Sequence, residues 1–312
     1  MSSTPFFSII IPTYNRRLLL KETLDSVLVQ TFIGYEVILV DNNSTDGTAQ
    51  MILSEYNSDK IRYICNSANY ERGYSRNVGL SIAKGKFTTF LDADDLMKET
   101  CLQTVYKFIC MNPDARLLKM THSIYDDKTA RITTSKYLPT KNHHKELCKS
   151  NFVSCIGVFV HESIYSQVSF NESPTFVGSE DYLVWFRPLA LNKLYIIPSD
   201  EVMVRNHDRR SVYSNIYNNL GIQLEAILHE ISKDELLRST FWHYKRFIIS
   251  NYTYHRALHA SVMRRMGATV GFIIVAILHN PSLLFSRRAY APLVTLLRLS
   301  LIHISEPTRR YA

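Results

Sequence analysis

Three carboxylates fall within four positions at the end of a run of strand-forming residues. The run FTTFL (residues 87–91) predicts a buried strand, and DADD (residues 92–95) follows it directly. In an open α/β sheet, ligands bind at the carboxyl ends of the strands. Carboxylates this close repel one another unless a cation lies among them, most simply a hard divalent ion that also meets a phosphate-bearing ligand. The pattern predicts a metal-ready cluster, and a polar turn is the alternative.

Two further buried runs end in side chains that could face the same ligand. FFSIIIP (residues 6–12) is followed by Thr13 and Tyr14, and EVILV (residues 36–40) is followed by Asp41. An ionised Asp41 only accepts hydrogen bonds, which suits a ribose hydroxyl or a base N–H, and Tyr14 could stack on a base. The alternatives are that Asp41 caps the next helix and that Tyr14 is ordinary edge packing.

A diphosphate in this place would need a metal and basic side chains, because neither GxGxxG nor GxxxxGK[ST] occurs. Arg76 could pair with a phosphate or with one of the aspartates, unless it is a solvated helix residue. The missing glycine-rich loop disfavours dehydrogenases and ATPases. The 11 histidines show no zinc-ligand spacing, which disfavours zinc chemistry.

Later in the chain, Glu180 and Asp181 precede an apolar-rich helix, and His207 lies among arginines. Acids at this place could simply be favourable charges at a helix N-terminus. His207 could likewise be a surface histidine.

Strands alternating with helices across the first 95 residues predict right-handed βαβ units and a mostly parallel sheet flanked by helices. We expect a polar loop over residues 125–149, one helix after Asp181 and two short strands at 194–197 and 201–204. The further elements predicted here are helices at 48–55, 73–83 and 98–111 and strands at 61–65, 115–120 and 158–160.

Composition narrows the class of protein. The 312 residues suffice for one large α/β domain with an appendage or for two modest domains, and 46% hydrophobic residues allow a sizeable core. A net charge of +8 indicates an anionic partner, but no nucleic-acid motif appears. Five cysteines without a CxxC pair favour a reducing, cytoplasmic compartment. We expect no signal peptide and no transmembrane helix, since no run of 18 apolar residues occurs.

A helical extension is predicted over residues 216–304, with consecutive helices at 216–232, 233–251 and 252–265. Its stretch Gly267–Phe285 contains GFIIVAIL between two arginine pairs, Arg264-Arg265 and Arg287-Arg288. This stretch is too short and interrupted to span a bilayer, so we expect it to lie in an anionic membrane interface. A helical cap or a dimer contact is the alternative. Residues 305–312 (SEPTRRYA) resemble translated cloning sequence and are set aside as a non-native tail.

Five motifs in order resemble the family-2 inverting glycosyltransferases of the GT-A (Rossmann-like) fold. They are SIIIPTYNR, VILVDNNSTDGT, RNVGLSIAKGKFTTFLDADD, GSEDYLVWFRPL and RNHDRRSVYS. The resemblance covers about residues 6–215. It implies a nucleotide-binding half (1–97) and an acceptor half (98–215).

The resemblance also implies a role for each motif residue. Asp94 would be the main metal ligand, for Mg²⁺ or Mn²⁺, and Asp181 of the Glu180-Asp181 pair would be the catalytic base. The remaining positions would bind the donor or lie near the metal and diphosphate: Pro12, Thr13, Tyr14, Asp41, Arg76, Asp92 and Ala93 at the nucleotide sugar, and His207 at the metal.

The implied activity is transfer of a sugar from a nucleoside-diphosphate sugar, first of all a UDP-sugar, to a glycan or lipid-linked acceptor in surface polysaccharide or lipopolysaccharide synthesis. The family often has two acids where this chain has Asp41-Asn42, and this difference affects which nucleobase the donor is expected to carry. A sugar nucleotidyltransferase is an alternative, although it would lack the Glu180-Asp181 pair. The second alternative is a non-catalytic partner protein that binds a nucleotide sugar.

Overall fold

The computed structural model describes residues 4–56, 58–134, 138–176, 178–207, 219–286 and 290–295. These residues form two compact units, one from Met1–His143 and Asn151–Tyr213 and one from His144–Ser150 and Ser214–Ala312. Residues 144–150 belong to the second unit because Lys145 and Lys149 lie 5.4 and 5.6 Å from the centroid of the Phe247 ring. Residues 208–218 and 305–312, which carry part of the last predicted motif and the predicted non-native tail, lie outside the described residues.

The first unit is built on one nine-stranded sheet of order β3-β2-β1-β4-β8-β6-β9-β5, with β7 paired to β6. The first four strands are parallel, as predicted, whereas β8 and the later strands add antiparallel pairings and make the sheet mixed. The strands are β1 (Phe7–Thr13), β2 (Tyr35–Asp41), β3 (Ile61–Cys65), β4 (Phe87–Phe90), β5 (Leu96–Met97), β6 (Leu117–Asp126), β7 (Arg131–Thr134), β8 (Val158–His161) and β9 (Leu194–Asn206).

Helices cover both faces of this sheet. Ile9 and Ile11 of β1 share a buried core with Leu24, whereas Ile10 points to the opposite face. A Cβ atom built on Gly79 would lie 2.5 Å from Ile10 Cγ2, so glycine lets the helix that carries Arg76 pack directly against β1. The helices up to β9 are α1 (Arg17–Leu28), α2 (Thr48–Glu55), α3 (Glu71–Ile82), α4 (Cys101–Met111), α5 (His143–Lys149), α6 (Glu180–Leu183) and α7 (Phe186–Leu191), and of these α5 belongs to the second unit from His144 onward.

The predicted polar loop over residues 125–149 is wrong. β6 continues to Asp126, β7 pairs with it as a hairpin, and α5 follows. All four residues of β7 are exposed, so the strand carries no alternation of apolar and polar residues that the sequence could reveal.

Two other predictions differ from the structure at their boundaries. The two strands predicted at 194–197 and 201–204 form the single strand β9, with a register shift against β6 between Met120 and His122. The single helix predicted after Asp181 is divided into α6 and α7. Pro188 explains the division, because it has no N–H to bond the preceding turn and is tolerated only in the first turn of a helix.

The second unit is helical, as predicted. Asp234 caps the N-terminus of one helix by accepting the Leu237 N–H at 3.0 Å, and another helix runs unbroken through Asn251, where the sequence predicted a boundary. Among the described helices, none is long and apolar enough to cross a membrane. The helices are α8 (Leu220–Lys233), α9 (Glu235–Phe241), α10 (Lys245–Val262) and α11 (Met266–His279).

Candidate active site

Three strand ends meet at one edge of the parallel part of the sheet. Thr13 at the end of β1 lies in register with Asp41 at the end of β2, and β4 pairs with the other side of β1. Pro12 and Thr13 are buried, whereas Tyr14 keeps 44% of its surface exposed at the rim. The Oγ1 atom of Thr13 is buried without a hydrogen-bond partner among the described residues.

Asp41 is fully buried and both of its oxygens accept hydrogen bonds. The Ser44 N–H donates to Oδ1 at 2.9 Å, and the Tyr63 hydroxyl donates to Oδ2 at 2.7 Å. Burial and the bond to Asp41 raise the pKa of Tyr63. Asp41 does not cap α2, since Asp46 accepts the Thr48 N–H at that helix start, at 3.2 Å. Each Asp41 oxygen retains a lone pair for a further donor.

Arg76 links two groups of carboxylates that the sequence keeps far apart. This buried guanidinium donates from Nη2 to Asp92 Oδ1 at 2.7 Å and from Nη1 to Glu180 Oε1 at 3.2 Å. Arg72 Nε lies 3.2 Å from the same oxygen of Glu180. Burial is the largest single influence and opposes ionisation of Asp92, but the charges of Arg76, Arg72 and Arg16 and the Arg76 hydrogen bond together outweigh it and lower the pKa of Asp92. Arg76 is therefore a buried residue of the site and not a solvated helix residue.

Asp94 is buried between a histidine and an arginine. His207 Nε2 lies 2.9 Å from Asp94 Oδ2, and Arg16 Nη1 contacts the same oxygen. The structure thus brings the two predicted metal residues together and shows that His207 is buried. The sequence analysis missed Arg16, although it directly follows Tyr14 and Asn15 at the end of β1.

Asp95 is the last residue of the DADD cluster, and its environment differs from those of Asp92 and Asp94. It is buried, Leu96–Met97 of β5 follow it, and its Oδ1 accepts the Arg205 N–H at 3.1 Å. Asp95 therefore joins β9 to the acidic cluster. This contact draws the chain that leads to His207 toward Asp94.

The three aspartates after β4 have the spacing of a divalent-cation site. Asp92, Asp94 and Asp95 can each offer an oxygen such that all three atoms lie within 4.8 Å of one another. Oxygens bound to one Mg²⁺ or Ca²⁺-sized ion at about 2.0–2.6 Å can be at most about 4–5 Å apart. The residues present therefore fit a hard divalent cation, and Ala93 is the buried spacer between the first two.

Glu180 and Asp181 lie at the start of α6 and have different surroundings. Glu180 is buried beside Arg72 and Arg76, and the Gly178 N–H donates a hydrogen bond to its Oε2 at 2.7 Å. Asp181 is partly buried, and its backbone carbonyl accepts from Asn151 Nδ2 at 3.1 Å. Burial and the neighbouring Glu180 charge raise the pKa of Asp181 to about 6. A four-residue helix has little dipole, so the dipole alone does not explain these acids.

A buried lysine lies behind this pair and was missed by the sequence analysis. Lys119 of β6 donates from Nζ to Ser154 Oγ at 3.3 Å and to the Ile156 carbonyl. Burial lowers the pKa of Lys119 to about 7. A charged residue within the apolar run ARLLKM was the available signal.

The sequence model of glycosyl transferase family 2 matches residues 8–168, which is more than half of the chain. The chain belongs to this family. Its members transfer sugars, so the protein is a glycosyltransferase, and the matched segment includes Asp41, Arg76 and the DADD cluster.

Two relatives and one solved structure illustrate the likeness. An uncharacterized glycosyltransferase, MJ1057 of Methanocaldococcus jannaschii, is 31% identical over 60% of this chain and 65% of its own length, which is just under two thirds. The Escherichia coli UDP-Glc:alpha-D-GlcNAc-diphosphoundecaprenol beta-1,3-glucosyltransferase WfgD is 26% identical over 70% of this chain and 84% of its own. Staphylococcus aureus TarS (residues 1–349), solved with UDP-GlcNAc, has a TM-score of 0.64 at 20% identity over 98% of this chain and 93% of that one, which shows the shared GT-A fold.

Asn42 stands where the family often has a second acid, and its amide holds neighbouring residues in place. Its Oδ1 accepts from Asn66 Nδ2 at 3.0 Å and from the Tyr70 N–H at 3.1 Å, while its Nδ2 donates to Asn69. An amide can accept and donate at once, whereas an ionised carboxylate only accepts. Asparagine therefore secures the chain between β3 and α3, and Asp41 supplies the carboxylate at this strand end.

Proposed function

We propose that the protein is an inverting glycosyltransferase that moves a sugar from a nucleoside-diphosphate sugar to an acceptor hydroxyl. The observation that carries the proposal is the ion-pair chain Asp92–Arg76–Glu180, which joins the strand-end carboxylates to the Glu180-Asp181 pair. A donor bound at the strand ends would thus lie beside a carboxylate suited to proton transfer. Residues 1–97 would hold the donor and residues 98–215 the acceptor.

The nucleotide sugar would bind across the ends of β1, β2 and β4. Asp41 would accept a base or ribose donor, with Pro12, Thr13 and Tyr14 beside it. Asp92 and Ala93 would face the donor, with Arg76 fixing the Asp92 carboxylate. A UDP-sugar is the first candidate, because WfgD is named for UDP-Glc and TarS was solved with UDP-GlcNAc.

Asp94, with Asp92 and with His207 beside it, would hold Mg²⁺ or Mn²⁺, which offsets the negative charge that grows on the diphosphate leaving group. Arg16 reaches the same edge and could contribute a second positive charge to a diphosphate. Metal dependence is thus part of the proposal.

Asp181 would act as the general base. As the acceptor oxygen attacks the anomeric carbon, its proton passes to the Asp181 carboxylate and the bond to the nucleoside diphosphate breaks, with the electron pair leaving on phosphate. A carboxylate with a pKa of about 6 is ionised at neutral pH and is a stronger base than an ordinary aspartate. Glu180, held by Arg72 and Arg76, would maintain that raised pKa.

The acceptor would be a glycan or lipid-linked hydroxyl in surface polysaccharide or lipopolysaccharide synthesis. WfgD is named for a diphosphoundecaprenol-linked acceptor, which supports the lipid-linked class. Such an acceptor would place the enzyme in the cytoplasm, at the inner face of the inner membrane.

A thermal-shift screen of UDP-, GDP-, dTDP- and CMP-sugars with Mn²⁺ tests the donor assignment, followed by product analysis with the stabilising donor. We expect one nucleotide sugar to raise the melting temperature and to yield nucleoside diphosphate with a glycosylated acceptor. Release of pyrophosphate when a nucleoside triphosphate and a sugar 1-phosphate replace the nucleotide sugar would indicate a nucleotidyltransferase instead. Stabilisation without any turnover across lipid-linked acceptors would indicate a non-catalytic binding protein.

A further inference from the structure

Helix α11 is apolar nearly all round, but only one side of it is packed. Thr269, Ile273 and Ala276 are buried against α10, where Ser250 Oγ donates to the Ala276 carbonyl at 2.7 Å. Met266, Val270, Ile274 and Leu278 form a stripe at four-residue spacing on another side, and Leu278 keeps 73% of its surface exposed. A helix that is apolar all round is expected to be covered all round.

Exposed apolar side chains also follow the helix in the chain. After Pro281, Leu284 and Phe285 are also exposed, and Phe285 keeps 93% of its surface accessible. Among the described residues, no atom lies within 4 Å of a Cβ built on Gly267 or Gly271. We call Met266, Val270, Ile274, Leu278, Leu284 and Phe285 the apolar face.

The segment of the chain that carries this face has charges of one sign. Residues 236–298 contain nine basic and no acidic residues, whereas the rest of the chain contains 27 basic and 28 acidic residues. The net positive charge of the protein therefore arises in this segment. Arg264 and Arg265 are exposed directly before α11, at one end of the apolar face.

We propose that the apolar face seats in the interface of a membrane that carries anionic lipid. Exposed apolar side chains enter the boundary between head groups and acyl chains, while flanking arginines remain with the lipid phosphates. The 14-residue helix α11 is about 21 Å long, shorter than the roughly 30 Å hydrocarbon core, which fits lying in the interface.

The charge distribution favours lipid over a second copy of the chain. Pairing two copies through this face would bring two acid-free basic segments together, and like charges across an interface oppose association. An anionic bilayer supplies both the apolar layer and the opposite charge. The proposal extends the function proposed above, and rests on it only in the expectation of a lipid-linked acceptor at that surface.

Co-sedimentation of the full chain with vesicles tests the proposal without donor or acceptor. Vesicles of phosphatidylglycerol and phosphatidylethanolamine serve as the anionic probe, and phosphatidylcholine vesicles serve as the neutral one. We expect strong binding to the anionic vesicles, weaker binding in high salt and at least a tenfold loss in Leu278→Glu. Leu53→Glu, at a residue of α2 that is 74% exposed, is the matched control and should bind as the unaltered chain does.

A second pair of variants tests the charge. Arg264→Glu/Arg265→Glu should bind anionic vesicles at least tenfold more weakly, whereas Lys84→Glu/Lys107→Glu changes the net charge equally at exposed positions of the first unit and should bind nearly normally.

Equal binding by Leu278→Glu and Leu53→Glu would overturn the proposal. So would a lipid-free dimer in sedimentation velocity that Leu278→Glu dissociates, since the face would then pair with itself. Vesicle binding is measured without turnover, so it can fail while sugar transfer to a soluble acceptor succeeds, and the reverse.

Discussion

Arg76 Nη1 lies 3.2 Å from Glu180 Oε1, although 104 residues separate the two in the chain. Through its other nitrogen, Nη2, Arg76 also holds Asp92 at the tip of β4. One buried guanidinium therefore fixes the carboxylate expected to meet the donor relative to the acids expected to meet the acceptor. In-line transfer depends on such fixed geometry, because small misplacements of reacting groups cost much of the rate.

Replacing Arg76 with methionine should destabilise the protein by about 3 kcal/mol, because it takes their common cation from the buried Glu180 and from the partly exposed Asp92. Urea unfolding followed by circular dichroism measures this free energy. Lys21→Met is the control, since it breaks an exposed pair with Glu55 and should leave the free energy of unfolding nearly unchanged. Equal losses for the two variants would argue against the structural role of Arg76.

Asp94→Ala should weaken metal-dependent donor binding by at least about tenfold, since even groups one step removed from a metal change its affinity by 10–100-fold. Calorimetric titration of the nucleotide sugar with Mn²⁺ and with a chelator gives the comparison. Asp114→Ala, at an exposed acid, is the matched control. The metal assignment fails if Asp94→Ala and Asp114→Ala bind donor and Mn²⁺ alike.

The pH dependence of kcat/KM should show an acid limb near pH 6. A general base acts in its ionised form, and burial with the Glu180 charge raises the pKa of Asp181 to about 6, so activity falls as pH drops through that value. Because the Glu180 charge raises this pKa, Glu180→Gln should move the limb to lower pH. An unchanged limb in Glu180→Gln would show that another group controls it.

The parallel half of the fold could be predicted because burial on both faces leaves a strong signal. FSIIIPT and YEVILVD form strands within two residues of their predicted limits, and the polar residues after them mark the strand ends. The exposed strand β7 and the two-residue strand β5 have no such signal. The position of β5 depends on pairing with β9, which is distant in sequence, whereas β7 is the exposed second strand of a hairpin with β6.

The candidate site could be predicted where acidic residues lie close together in the sequence, as in the DADD cluster and the Glu180-Asp181 pair. Arg16, Lys119 and the buried position of Asp95 could not, since their contacts come from tertiary structure. Arg16 meets Asp94 across 78 residues, and Asp95 meets Arg205 across 110 residues. The motif order implied the roles, but only the fold reveals which side chains pair.

Replacing Asp181 with asparagine tests the central claim most directly, with transfer to a lipid-linked acceptor and donor binding measured on the same preparation. The amide cannot take the acceptor proton, so we expect the transfer rate to fall by about 10²–10⁴-fold while donor and Mn²⁺ binding stay within a few-fold of the unaltered protein. Asp114→Asn should retain full activity. Turnover by Asp181→Asn at the rate of the unaltered protein would contradict the assignment of Asp181 as the base and the mechanism built on it.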